Sequence, residues 1–207
     1  MATDPRIASV AAGYDAIAAD FAAWAQRQPH DARTAYLDLL DRRLPAGARL
    51  LDIGCGQGIP RLYERYDVTG IDVSGVQIAR ARERWPQAQL HHTDLLAADL
   101  PPAGFDAAVA LYSLIHVPRE LHAAAWQRIG SWLRPGAWFA GCVGARRNDG
   151  EEGDWLGTRM YWSNPDPDQT LSLVAAAGLE VERSEPITEL EGGEPVSFLW
   201  LLLRRAG

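Results

Sequence analysis

Cysteine is scarce in this chain. Cys55 and Cys142 are the only two, far apart and without CxxC or Cys/His partner spacing. That argues against a zinc site or a disulfide framework and leaves both as small apolar fillers. Basic residues are in deficit as well: 20 Lys+Arg against 27 Asp+Glu give a formal net charge of −7. This balance argues against nonspecific affinity for phosphate backbones or anionic membranes. The N-terminus lacks a basic region followed by an apolar stretch, so no signal peptide is evident. The longest apolar run, Phe198-Leu199-Trp200-Leu201-Leu202-Leu203, is far too short to span a bilayer. Internal repeats and low-complexity tracts are missing too. These absences lead to the expectation of a soluble cytoplasmic protein, monomer or homodimer, with no metal, nucleic-acid or membrane partner.

A length of 207 residues, 47% of them hydrophobic, suits one domain with a sizeable core. Residues 1–45 read as a helical N-terminal cover, with Ile17, Phe21 and Trp24, then Tyr36, Leu37 and Leu40, at helical spacing. Pro29 breaks the run, Asp31 can cap the second piece, and Pro45-Ala46-Gly47 ends it. Residues 46–207 then alternate strand, turn and helix. Strands are expected at 49–53, 67–72, 88–91, 105–111 and 138–143. A helix opens after Ser74 as N-cap, others cover 119–133 and 168–177, and 180–190 with 196–204 forms a hairpin around Glu191-Gly192-Gly193. The segment 144–167, rich in Gly, Asp, Asn and aromatics, reads as a long substrate-side loop. The pattern is α/β, with a parallel sheet and an antiparallel pair at the end.

Leu50-Leu51-Asp52-Ile53-Gly54-Cys55-Gly56-Gln57-Gly58 is a buried strand breaking into a glycine-rich turn. In open α/β sheets ligands bind at the carboxyl ends of the strands, where this turn sits. Glycines there let the backbone approach a ligand without Cβ clashes. The dinucleotide fingerprint needs its third glycine three positions after the second, where this chain has Ile59. A diphosphate loop for an NAD-dependent oxidoreductase is therefore disfavoured. Asp72 ends the second strand, where a carboxylate can accept hydrogen bonds from both hydroxyls of a ribose.

Taken in order, these motifs resemble a class I S-adenosylmethionine-dependent methyltransferase of the small-molecule, type 11-like kind, from about Tyr14 to the C-terminus. The resemblance implies a Rossmann-like, seven-stranded sheet, mostly parallel with an antiparallel C-terminal hairpin, and S-adenosyl-L-methionine as cofactor. It also implies donor-binding roles. Asp52, Gly54 and Gly56 stand in the first motif, Asp72 at the ribose with Val73 against the adenine, and Asp94 and Leu95 around that ring. Tyr112 lies at the end of the fourth strand beside the methionine moiety, and Tyr14 is similar to an N-terminal aromatic that closes over the donor. Two departures stand out. The usual double glycine after Pro135 is Gly136-Ala137, and Ile59 to Tyr66 is about one helical turn shorter than expected.

The acceptor side is less explicit. His116, just beyond the fourth strand, is an imidazole that can take or orient an acceptor's proton; the alternative is a histidine that shapes the loop before Pro118. His30, His91, His92 and His122 read as structural or exposed. Trp155, Met160, Tyr161 and Trp162 are candidates for contact with a small-molecule acceptor, or they pin their segment onto the sheet. Arg159 reads as a surface residue, and Trp126 and Trp132 as core. The expected function is methyl transfer to an oxygen, nitrogen or sulfur nucleophile. The alternatives are a non-methylating adenosylmethionine-binding protein or a cyclase on the same fold.

Overall fold

The computed structural model describes residues 4–28, 31–191 and 193–207. Expectations resting on Pro29, His30 and Gly192 fall outside these residues. Helices α1 (Pro5–Ala16), α2 (Ala18–Arg27) and α3 (Asp31–Asp41) form the N-terminal cover. Asp4 caps α1 by accepting from the Arg6 N–H, with Pro5 in the first turn. Asp31 is the first residue of α3.

The core follows as β1 (Arg49–Ile53), α4 (Pro60–Tyr63), β2 (Asp67–Asp72), α5 (Gly75–Arg84), β3 (Gln89–His92) and β4 (Phe105–Ala110). Next come α6 (His122–Trp132), β5 (Leu133–Gly144), β6 (Asn148–Trp155), β7 (Thr158–Asn164), α7 (Pro167–Ala176), β8 (Leu179–Glu191) and β9 (Glu194–Arg205). Seven strands form one sheet in the order β3-β2-β1-β4-β5-β9-β8. The pairs among β1 to β5 are parallel, and β9 runs antiparallel to both β5 and β8. This is a Rossmann-like, mostly parallel seven-stranded sheet with an antiparallel C-terminal hairpin, as expected. Because β9 reverses direction once and β8 reverses it again, the carboxyl end of β8 returns to the edge where β1, β2 and β4 also end.

The sheet is buried on both faces, so its central strands are apolar nearly throughout. On β1, Leu50 joins one core with Tyr36, Leu37, Leu62 and Trp200 under α3 to α5. Leu51 and Ile53 join the other, with Trp126, Trp132 and Phe139 under α6 and α7. The first βα helix is short, as the spacing suggested: α4 has only four residues. No described helix is long and apolar enough to cross a membrane.

The segment 144–167 differs from the loop expected of it. It contains an antiparallel hairpin, with Trp155 opposite Thr158 and Glu152 opposite Tyr161. Leu156 and Gly157 make the turn with φ of +52° and +81°, the pair of positive values a tight hairpin turn needs. Composition concealed it: Leu-Gly is not the usual turn pair, and the Gly, Asp and Glu residues of β6 are poor strand formers. Hydrophobic contact supplies the stability instead. Met160 and Tyr161 pack with Val10 and Ile17 of α1 in a third cluster. Gly13 makes room, since a Cβ there would stand 2.9 Å from the Met160 sulfur.

Candidate functional site

One cavity of about 1030 Å³ opens at the carboxyl edge of the sheet, between the N-terminal cover and the ends of β1, β2, β4 and β8. Its floor is the glycine turn. Gly54, Gly56 and Gly58 have φ of +69°, +53° and +78°, a region L side chains rarely adopt. Their reasons differ. A Cβ on Gly54 would lie 2.2 Å from the Ser113 Cβ, whereas one on Gly56 would meet nothing within 4 Å. Gly54 therefore lets β1 and the end of β4 approach each other, and Gly56 leaves its space open to a ligand.

Asp72 closes the rim. One carboxylate oxygen accepts from the Gly56 N–H and the other from the Ser74 N–H, both at 2.8 Å. A carboxylate has about four lone-pair sites, so the pre-oriented group can still accept two ribose hydroxyls. Burial nonetheless pushes its pKa up, against those two backbone bonds. Asp52 lies deeper, 3% exposed. Burial raises its pKa to about 7, against a hydrogen bond from the buried Tyr63 hydroxyl. Val73, Asp94 and Leu95 line the same end of the cavity. One Asp94 oxygen caps the following turn through the Leu96 N–H at 2.8 Å, and the Leu95 carbonyl accepts from Arg128. Open backbone at Gly56 and a pre-oriented carboxylate at the rim with spare acceptor capacity fit an adenosyl sulfonium donor.

The cover is fastened across this end. Asp15 of α1 accepts from the Ser74 hydroxyl at 2.5 Å and from the Val76 N–H at 3.0 Å. Gln57 of the glycine turn donates to the Ala18 carbonyl at 3.0 Å. Tyr14, next to Asp15, is thereby carried over the cavity, where its hydroxyl lies 3.1 Å from His116 Nε2.

His116 is 8% exposed. Its Nδ1 lies 2.7 Å from the Tyr161 carbonyl. A carbonyl only accepts, so Nδ1 carries the proton, and Nε2 presents a lone pair to which Tyr14 donates. Burial lowers the His116 pKa to about 4, keeping the ring neutral. Around this pair stand aromatic walls: Tyr14, Phe21 and Trp24 against Trp155, with ring centroids 5.2–5.8 Å apart, and Trp162 beside His116. Tyr112, at φ +61°, gives its hydroxyl to Glu189 at 3.0 Å.

The structure thus brings Tyr14, Asp52, Gly54, Gly56, Asp72, Val73, Asp94, Leu95, Tyr112, His116, Trp155 and Trp162 to one cavity. Met160 and Tyr161 do not line it; both are buried against α1, and Tyr161 reaches the site only through its carbonyl. His122 is fully buried as a structural histidine, its Nε2–H donating to the Val117 carbonyl at 3.1 Å. Both cysteines are free and buried. Sequence reasoning passed over Arg33, Glu189 and Glu191, which also line the cavity. Nothing local marked them, because the register of β8 and the start of α3 are what bring them there. Phe21 and Trp24 carried a signal, their three-residue spacing, that was read as cover packing. No described group of three His, Cys, Asp or Glu side chains is placed to hold a metal.

Comparison with known proteins agrees with this geometry. Residues 50–136 match a family model described as a methyltransferase domain. An uncharacterised methyltransferase of Mycobacterium tuberculosis is 38% identical over 119 residues, covering 55% of this chain and 59% of that protein. The 27-O-demethylrifamycin SV methyltransferase of Amycolatopsis mediterranei is 38% identical over 122 residues, covering 53% and 44% respectively. The chain therefore spans about half the length of the curated relatives it matches. In fold, it is similar to the 1,6-didemethyltoxoflavin-N1-methyltransferase of Burkholderia thailandensis, solved with bound 1,6-didemethyltoxoflavin and S-adenosylhomocysteine. That likeness has a TM-score of 0.66 and 22% identity, and covers 100% of this chain and 92% of the other.

Proposed function

We propose that this chain, a member of the class I S-adenosylmethionine-dependent methyltransferase family by its sheet and its matched segment, transfers a methyl group to an oxygen, nitrogen or sulfur nucleophile of a small molecule. S-adenosylmethionine, when bound, supplies a methyl already activated by the sulfonium charge: the S–C bond breaks with its electron pair kept by sulfur as the nucleophile–carbon bond forms.

The observation that carries this reading is Asp72, held by two backbone N–H groups at the rim of the glycine cradle. In this reading Asp72 takes the ribose, Val73, Asp94 and Leu95 frame the adenine, and Gly54 and Gly56 let the backbone reach the donor. Asp52 and Tyr112 stand at its methionine end, and Arg33, a guanidinium near Tyr112 and Glu189, faces its carboxylate. The remaining task is alignment of acceptor, methyl carbon and sulfur, for which holding the geometry is the main catalytic contribution. His116, Trp155 and Trp162 surround the acceptor, and aromatic faces there favour a cation before transfer. A small-molecule acceptor is supported by the cavity's size, by the net charge of −7 and by relatives named for such substrates. Two unpaired cysteines suit the cytoplasm.

Calorimetry with S-adenosylhomocysteine tests the donor site. Wild type should bind it, and Asp72→Ala should weaken it by at least about tenfold, the loss of a charge-assisted pair of hydrogen bonds. A protein that bound NAD and ignored both adenosyl compounds would defeat the assignment. Products heavier by one methyl, in a screen of acceptor classes, separate an enzyme from a non-methylating binder or a cyclase.

A further inference from the structure

The hydrogen bonds at His116 run in one direction. Its Nδ1–H donates to the Tyr161 carbonyl at 2.7 Å, so Nε2 is bare and the Tyr14 hydroxyl, 3.1 Å away, donates to it. The Tyr14 oxygen keeps acceptor capacity and has no proton left to give. Both residues line the cavity, beside Trp155 and Trp162. The Tyr14 ring meets Phe21 and Trp155 edge to face, at centroid distances of 5.3 and 5.8 Å. A ligand group reaching this chain of bonds from the cavity must therefore bring a proton, and the rings around it accommodate a flat aromatic body.

Resting on the methyltransferase reading, we propose that Tyr14 is a proton relay to His116, and that the acceptor is a hydroxyl compound of the phenol class. The acceptor's O–H donates to the Tyr14 oxygen. As the acceptor oxygen gains the methyl group, its proton passes to Tyr14 and the Tyr14 proton passes to His116 Nε2. The imidazolium so formed is held by the Tyr161 carbonyl through Nδ1–H and returns its proton to solvent after the product leaves. Acceptors without a transferable proton, such as carboxylates or tertiary amines, have no use for this arrangement. Burial of His116 leaves the ring unprotonated before the step, and the bond to the Tyr161 carbonyl works against that burial when the imidazolium forms. Tyr14 touches the acceptor and is the catalytic residue; His116 acts through it.

Two measurements test this without knowledge of the natural acceptor. In ¹⁵N-histidine NMR, His116 should be the Nδ1–H tautomer, and the Nε2 signal should move in Tyr14→Phe, which removes only the hydroxyl oxygen. An Nε2–H tautomer overturns the relay. Protein loaded with S-adenosylhomocysteine is then titrated with 4-cyanophenol and with 4-methoxybenzonitrile, in which a methyl replaces the hydroxyl proton. Wild type should prefer the phenol by at least about tenfold, the worth of one such hydrogen bond in a closed site, and Tyr14→Phe should lose that preference. Equal affinities, binding of neither compound, or a preference retained in Tyr14→Phe each overturn the proposal. Failure of wild type to bind S-adenosylhomocysteine would count against the donor reading instead, and the phenol preference remains measurable on the unloaded protein.

Discussion

Single atoms decide the character of the glycine turn. At Gly54 two constraints coincide: a left-handed backbone and a Ser113 side chain that leaves no room for a methyl group. Gly54→Ala should therefore cost about 2–4 kcal/mol, the sum of a left-handed alanine and an overpacked contact. It should also weaken donor binding, because β1 and the end of β4 can no longer approach. Chemical denaturation checks the first part and calorimetry the second; an alanine variant as stable as wild type would refute the packing argument. The turn itself was readable from glycine spacing alone, since positive φ is a local demand. His116 was legible only as a residue near the reactive edge. Its tautomer, its low basicity and its Tyr14 partner come from atoms 45 and 102 positions away in the chain, which no local pattern encodes.

At the level of elements, most strands were legible because buried parallel strands are short apolar runs between turns. β1 and β2 fall where the runs placed them, and Ser74 caps α5 as expected. The hairpin of β6 and β7 was not legible, because its strand β6 is exposed and polar and holds its shape by docking β7 onto α1. Met160 shows the consequence. Read from sequence as a candidate acceptor contact, it is fully buried between β7 and Gly13. Met160→Ala should destabilise the fold by about 2–5 kcal/mol through the cavity it leaves. Calorimetry on the folded variant should find affinity for S-adenosylhomocysteine close to wild type, since the residue lies off the cavity. A neutral effect on stability, or a large loss of donor affinity, would contradict that placement.

Over the whole molecule, buried histidines and buried carboxyls set opposing pH trends. His116 and His122 are each lowered to about 4, mainly by burial. The unfolded chain therefore binds their protons more tightly, and stability rises with pH between about 4 and 6.5, by roughly 3 kcal/mol for each group. Asp52 is raised to about 7, again mainly by burial. Its native carboxyl prefers the proton, so its contribution falls as pH rises from about 4 to 7, by roughly 4 kcal/mol. Asp72, Glu189 and Glu191 are also raised by burial and join Asp52 on the falling side, so the test lies in the variants. Relative to wild type, the change in denaturant midpoint from pH 4 to 6.5 should be more positive for Asp52→Asn and less positive for His122→Gln. Identical slopes in all three proteins would mean that these groups do not titrate as their burial implies.

The sequence by itself determined the succession of main-sheet strands and their helices, the glycine cradle and the carboxylate at Asp72. Each of these rests on local physics: apolar runs that must be buried, backbone angles only glycine adopts easily, and a charge at a strand end. Tertiary structure decided the other half of the cavity. The double reversal through β9 and β8 carries Glu189 and Glu191 to the edge where Tyr112 and Asp72 already stand. Docking of β7 onto α1 sets the Tyr161 carbonyl against His116, and the Asp15–Ser74 contact holds Tyr14 above it. Those contacts join residues distant in the chain, and their free energy exists only once the layers have packed.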